Sequence, residues 1–238
     1  MRSPSNQFIT EVTLDGSPTL RSLQAGTGSA VPESMHHTAS AAGETEYVYG
    51  EALRRAQNTQ IQSLNFLIVG LGLGYIEMLI LSQMENCKIN SYESDPELRL
   101  HFWEWISNPN SEFEIYNEVC KHLKINSGSV RSQFRKNDLI LNEKLSLQSK
   151  FTELANVICF DAFSKKSSES LWTEEFLNYF LTHACAQDCI FVTYSCTSLL
   201  KRVLTAHGFQ LLPRLGFEGK RDSTLAVRGV FSKAPDFE

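Results

Sequence analysis

Three glycines, Gly70, Gly72 and Gly74, stand between the apolar run NFLIV and the helical stretch YIEMLILSQ. Backbone without Cβ lets a ligand approach closely. Strand, glycines, helix is the setting in which such loops hold phosphates or nucleosides. The spacing is GxGxG, not the GxGxxG that aims a helix N-terminus at a pyrophosphate. Glu77 is expected in the first turn of that helix. A carboxylate there repels a pyrophosphate and can hold the ammonium of a methionine moiety. Three readings stay open: a dinucleotide, an adenosyl cofactor, or a tight turn with no ligand.

Further acids fall at or near the ends of expected strands. Glu93 closes CKINSYE, where a carboxylate can accept both ribose hydroxyls. Dinucleotides and adenosyl cofactors share that need, so Glu93 does not choose between them. Asp95 precedes Pro96 and suits a helix start. Asp138, in KNDL, falls near the end of a third expected strand, as a ligand acid or a solvated loop acid. Asp161 ends the apolar run VICF.

The elements that must hold these residues alternate. Buried strands are predicted over 64–69, 87–93, 134–139, 155–160 and 189–194, with helices over 75–83, 96–106, 111–123, 171–183 and 198–207. Alternation of this kind gives a parallel sheet covered on both faces, with all its C-terminal strand ends on one edge. Strands over 209–213 and 223–230 close the chain as a hairpin, unusual for dehydrogenases and usual for class I methyltransferases. Before the sheet, 8–13 and 19–22 read as two short strands about the turn DGSP. The expected division is an N-terminal extension or lid over 1–45 and a Rossmann-like domain over 46–238.

Composition sets limits. The chain has 238 residues, 42% of them hydrophobic, enough for a substantial core. No apolar run approaches the ~18 residues of a membrane span, and the first residues lack a signal-peptide core; a cytoplasmic protein without a membrane partner is expected. The net charge of −5 argues against indiscriminate nucleic-acid binding, and no DNA partner is expected. The six cysteines form no CxxC pair; Cys185, Cys189 and Cys196 fit no common zinc spacing, so no metal is expected.

A succession of short motifs carries a resemblance: Asp161-Ala162-Phe163, Leu171-Trp172-Thr173, Thr193-Tyr194-Ser195, Gly208-Phe209 and Gly219-Lys220-Arg221, preceded by TLDGSPTLR, Met35-His36 and Gly43-Glu44. Together they resemble the methyltransferase domain of the MnmC family, its stand-alone members included, without the FAD oxidase domain of the bifunctional ones. The usual Met-His-Ser of that family is Met-His-His here. The likeness covers most of the chain and is weakest over 100–155. It implies a class I S-adenosylmethionine-dependent methyltransferase fold, with Gly70, Gly72, Gly74, Glu93 and Asp138 toward the cofactor. It further implies that the acceptor is the amino group of 5-aminomethyl(-2-thio)uridine at the tRNA wobble position.

On that reading Asp161 orients the amine and takes its proton; capping the following loop is the plainer role. Phe163 and Trp172 can flank an unstacked base, or belong to the core. Tyr194 can donate its hydroxyl to the base or amine. Lys220 and Arg221, with Arg214 nearby, grip a phosphate or shape the uridine pocket, or are ordinary turn charges. Lys165, Lys166, Lys201 and Arg202 can extend a basic rim. His36, His37, Glu44 and Tyr47 or Tyr49 are expected in a lid over the cofactor. The alternatives are a nicotinamide dehydrogenase, an aminopropyltransferase, a small-molecule methyltransferase and an inactive RNA- or protein-binding relative.

Overall fold

A computed structural model describes residues 3–25, 32–219 and 222–233. Its centre is a seven-stranded sheet in the order β6-β5-β4-β7-β8-β10-β9. These strands are β4 (Asn65–Val69), β5 (Lys88–Tyr92), β6 (Asp138–Asn142), β7 (Ala155–Phe160), β8 (Cys185–Thr193), β9 (Gln210–Leu212) and β10 (Thr224–Arg228). The five from β6 to β8 are parallel, while β10 runs antiparallel to both β8 and β9. The C-terminal hairpin inferred from the sequence is therefore present, with its second strand inserted next to β8.

Strand β4 is central and buried on both sides. Phe66 and Ile68 face one hydrophobic core, Leu67 and Val69 the other, the period-two alternation of a strand between two layers. The helices are α1 (Ala41–Val48), α2 (Gly50–Gln57), α3 (Tyr75–Gln83), α4 (Pro96–Ser107), α5 (Glu114–His122), α6 (Ser127–Phe134), α7 (Glu174–Ala184) and α8 (Ser198–Ala206). Helix α3 is buried continuously from Tyr75 to Leu81, which explains why its sequence is apolar nearly all round.

A small antiparallel sheet, β1 (Phe8–Val12), β2 (Pro18–Ala25) and β3 (Pro32–Ser34), precedes these elements. The first two strands form the expected hairpin; β3 was not legible. This sheet is docked onto the main domain: Tyr75 donates its hydroxyl to the Pro18 carbonyl at 2.7 Å, and Ser5 donates to Asp95 at 2.6 Å. Asp95 also caps α4 by accepting from the amides of Glu97 and Leu98.

Two assignments change. Helix α6 had no strong periodicity and was missed. The third parallel strand consequently begins at Asp138 rather than ending near it. No helix among the described residues is long and apolar enough to cross a membrane.

Candidate active site

Strand register builds the site. Val69 of β4 lies opposite Tyr92 of β5 on one side and Phe160 of β7 on the other. The next residue on each strand is Gly70, Glu93 or Asp161, so the three emerge side by side at the C-terminal edge. Backbone bonds fix the row: Gly70 N–H to Tyr92 O at 2.9 Å and Asp161 N–H to Val69 O at 2.8 Å. This is also where connections turn from one half of the sheet to the other, the crevice in which open α/β sheets bind ligands.

A cavity of about 630 Å³ opens there, lined by Gly70, Gly72, Glu93, Asp161, Phe163 and Tyr194 among others. Glu93 accepts from the Gly72 amide at 3.2 Å and the Asp95 amide at 2.9 Å; burial raises its carboxyl above the ordinary range. The far wall comes from the N-terminal segment. Met35 lies against Gly72, its sulfur 3.1 Å from where a Cβ would stand. His36 pairs with Thr19 at 3.0 Å and sets its ring edge-on to Tyr75. Glu33 accepts from the Ser164 amide at 3.1 Å and hydroxyl at 3.0 Å, and from the Ser167 hydroxyl at 2.6 Å. One carboxylate thus binds the loop after Asp161 to β3, on the opposite side of the cavity. Glu33 carried no signal in the sequence.

Around Asp161 two tyrosines converge. Tyr49, at the break between α1 and α2, donates its hydroxyl to Asp161 Oδ1. Tyr194 donates its own to the Ala162 carbonyl at 3.0 Å. Burial, then the Asp161 charge, raises both phenols well above their ordinary range, so both stay protonated donors. Phe163 reaches the cavity and stacks on Phe8 at 6.2 Å.

Several expected site residues stand elsewhere. Asp138 pairs with Lys88 at the start of β5 and β6, whereas Tyr92 pairs with Asn142 at their end. Four residues of strand put Asp138 ~13 Å from the cavity edge; Lys144 and Leu145 line the cavity beyond β6 instead. Gly74 is absent from the lining: its φ is +71° and a Cβ would overlap the Phe102 ring, so it serves helix packing. Glu77 does not face the cavity either. It is fully buried, accepts from Ser91 at 2.5 Å, and burial raises its carboxyl to about 8.

Trp172 is buried against Phe160 and donates its indole N–H to the Phe163 carbonyl at 2.7 Å. It braces the loop that presents Phe163 and offers no face to a base. Arg214 is inward too, donating to the Val48 carbonyl at 2.7 Å and to Tyr47 O. Of the expected rim, Lys165 and Lys166 are exposed, while Lys201 and Arg202 pair with Asp222 and Glu174. Lys220 and Arg221 lie outside the described residues. Among the described residues no three His, Cys, Asp or Glu side chains gather as metal ligands.

The lining suits a cationic cofactor. Glu33, Glu44, Glu93, Asp161 and Glu169 supply carboxyl groups against the single lysine Lys144. A pyrophosphate would meet repulsion here, whereas a nucleoside carrying a sulfonium and an ammonium would meet attraction. Glu93 beside the glycine loop stands where a ribose needs an acceptor.

Residues 101–229 match the family described as S-adenosyl-L-methionine-dependent methyltransferase. The chain belongs to that family. It is similar to the tRNA 5-methylaminomethyl-2-thiouridine biosynthesis bifunctional protein MnmC of Campylobacter hominis, 25% identical over a gapped alignment of 218 positions that covers 82% of this chain and 31% of that one. The protein of the same name from Hahella chejuensis is 37% identical over 67 residues, 28% of this chain and 10% of that one. The chain thus spans less than a third of these relatives. Among solved structures, that of MNMC2 from Aquifex aeolicus superposes with a TM-score of 0.63 at 19% identity, covering 93% of this chain and 70% of the other. Spermidine synthase from Thermotoga maritima gives a TM-score of 0.50 at 15% identity, covering 94% and 74%. Both show a shared fold.

Proposed function

We propose that the protein transfers a methyl group from S-adenosylmethionine to the amino group of 5-aminomethyl(-2-thio)uridine at the wobble position of tRNA. Asp161 carries the reading: it stands beside the glycine loop, in an acid-lined cavity, with an aromatic side chain two residues on. The two relatives named for tRNA 5-methylaminomethyl-2-thiouridine biosynthesis support this reading, that nucleoside being the methylated form of the proposed acceptor.

Gly70, Gly72 and Glu93 would hold the cofactor, Glu93 at the ribose. When bound, S-adenosylmethionine supplies a methyl carbon whose bond to positively charged sulfur breaks, the electron pair passing to sulfur, as the amine lone pair forms the new N–C bond. An amine must be neutral to attack, and free alkyl amines are mostly protonated near pH 7. Asp161 answers that need by orienting the amine and accepting its proton, directly or through water, which frees the nitrogen lone pair. Phe163 offers a stacking face to the base. The N-terminal sheet, bound through Glu33, excludes water from the reacting end, so the chain acts mainly by alignment.

The acid lining also suits a polyamine, which favours aminopropyl transfer as a second reading. One assay separates the two: purified protein with tRNA lacking the final wobble methylation, or with a diamine, supplied with S-adenosylmethionine or its decarboxylated form. The proposal requires a methylated wobble nucleoside by mass spectrometry and its loss in Asp161→Asn. Turnover of the diamine with the decarboxylated donor alone would overturn it.

A further inference from the structure

The break between α1 and α2 places a phenol on the acid. Helix α1 stops at Val48, and α2 starts at Gly50. Arg214, its side chain 7% exposed, reaches in to bond the carbonyls of Tyr47 and Val48 and faces Glu51 at 3.5 Å. With its neighbours' carbonyls so capped, Tyr49 points inward at 2% exposure, and its hydroxyl donates to Asp161 Oδ1.

Several other acids share the cavity with Asp161. Glu44 of α1, Glu33 of β3 and Glu93 at the end of β5 line the same cavity. Cys159 of β7 is buried two residues away, and Tyr194 approaches from the end of β8. His36 and His37 stand across the cavity on the N-terminal segment. Like charges and desolvation both push a carboxyl toward its neutral form, and a neutral acid cannot take a proton from an ammonium. A phenol hydrogen bond acts in the opposite sense, because it is strongest to the ionised carboxylate.

We propose that Tyr49 is a positioning residue for the reaction: its hydroxyl keeps the Asp161 carboxylate ionised and turned toward the acceptor amine. The inference rests on the amine-methylation reading and adds to it a residue that acts through its bond to Asp161.

The test is a titration that needs no acceptor. Protein labelled with 13C at the aspartate carboxyl is prepared as wild type and Tyr49→Phe, the Asp161 resonance being assigned through Asp161→Asn. The midpoint of Asp161 is expected to rise by about one pH unit or more in Tyr49→Phe. The acid limb of kcat/KM should move up with it, while affinity for S-adenosylmethionine stays within about twofold. An unchanged midpoint in a variant that melts normally overturns the proposal. If Tyr49→Phe fails to fold, 3-fluorotyrosine incorporated at position 49 is a stronger donor and must lower the midpoint; no movement there also overturns it. A shifted midpoint in a protein that methylates no RNA supports the role of Tyr49 and overturns the substrate reading instead.

Discussion

Gly70 lies so close to Asp161 that a Cβ on the glycine would stand 2.6 Å from the Asp161 carbonyl oxygen. The first residue of the glycine loop and the acid proposed to meet the amine are therefore packed backbone to backbone. The φ of +98° at Gly70 adds a second demand that only glycine meets cheaply. Gly70→Ala is expected to lower the thermal midpoint, to displace Asp161, and to abolish cofactor binding by calorimetry. A variant that binds and turns over normally would show that loop and acid are independent.

Glu93 should matter to affinity more than to rate. Glu93→Gln keeps the shape of the side chain and removes its charge. Losing a charge-assisted bond costs about 1.5–3 kcal/mol, or roughly 10- to 100-fold in affinity for S-adenosylmethionine. Calorimetry reads that loss directly, and kcat at saturating cofactor should change far less.

Phe163 and Trp172 should part company. Trp172→Phe removes the indole bond to the Phe163 carbonyl and is expected to cost about 1 kcal/mol of stability, read by denaturant titration. Phe163→Leu should leave stability nearly unchanged and raise KM for the RNA acceptor. Equal effects of both variants on acceptor KM would restore a stacking role for Trp172.

Glu77 gives stability a pH slope. Unfolded, it ionises in the ordinary glutamate range; folded, burial holds its proton to about 8. Folding takes up a proton between those values. The contribution is fully present below the unfolded value and is lost as pH rises through about 8. Stability from this group should fall on the order of 1.4 kcal/mol per unit across that window. Glu77→Gln, neutral throughout, should flatten the curve between pH 5 and 8. An unchanged slope would place the titration elsewhere.

The alternation of strand and helix patterns was enough to lay out the parallel sheet, because β4, β7 and the second half of β8 are buried on both faces and stand out as hydrophobic stretches. Placing Asp161 followed from that, since it directly follows such a run, and Glu93 directly follows the alternating strand β5. Asp138 failed for the same reason in reverse. Strand β6 is an edge strand with Ile140 exposed, and α6 before it has few apolar residues, so neither boundary was marked. Gly74 and Glu77 were read toward the ligand because spacing along a loop does not reveal which side packs against Phe102 or Ser91. Tyr49 was expected near the cavity only as one of two tyrosines, and its bond to Asp161, like that of Glu33 to Ser164, spans more than a hundred residues of chain, so no local pattern announces either contact. Phe163 and Trp172 are both aromatic residues on one loop; only the fold decides that one faces the cavity and the other the core.

The central claim is that the cavity between Glu93 and Asp161 holds an adenosyl sulfonium. Calorimetric titration of the purified protein with S-adenosylmethionine, S-adenosylhomocysteine and NAD tests it most directly. The account predicts saturable binding of the first two, weakened in Glu93→Gln and retained in Asp161→Asn, with no heat from NAD. Absence of binding to either adenosyl compound at millimolar concentration, or equal binding of NAD, would contradict it.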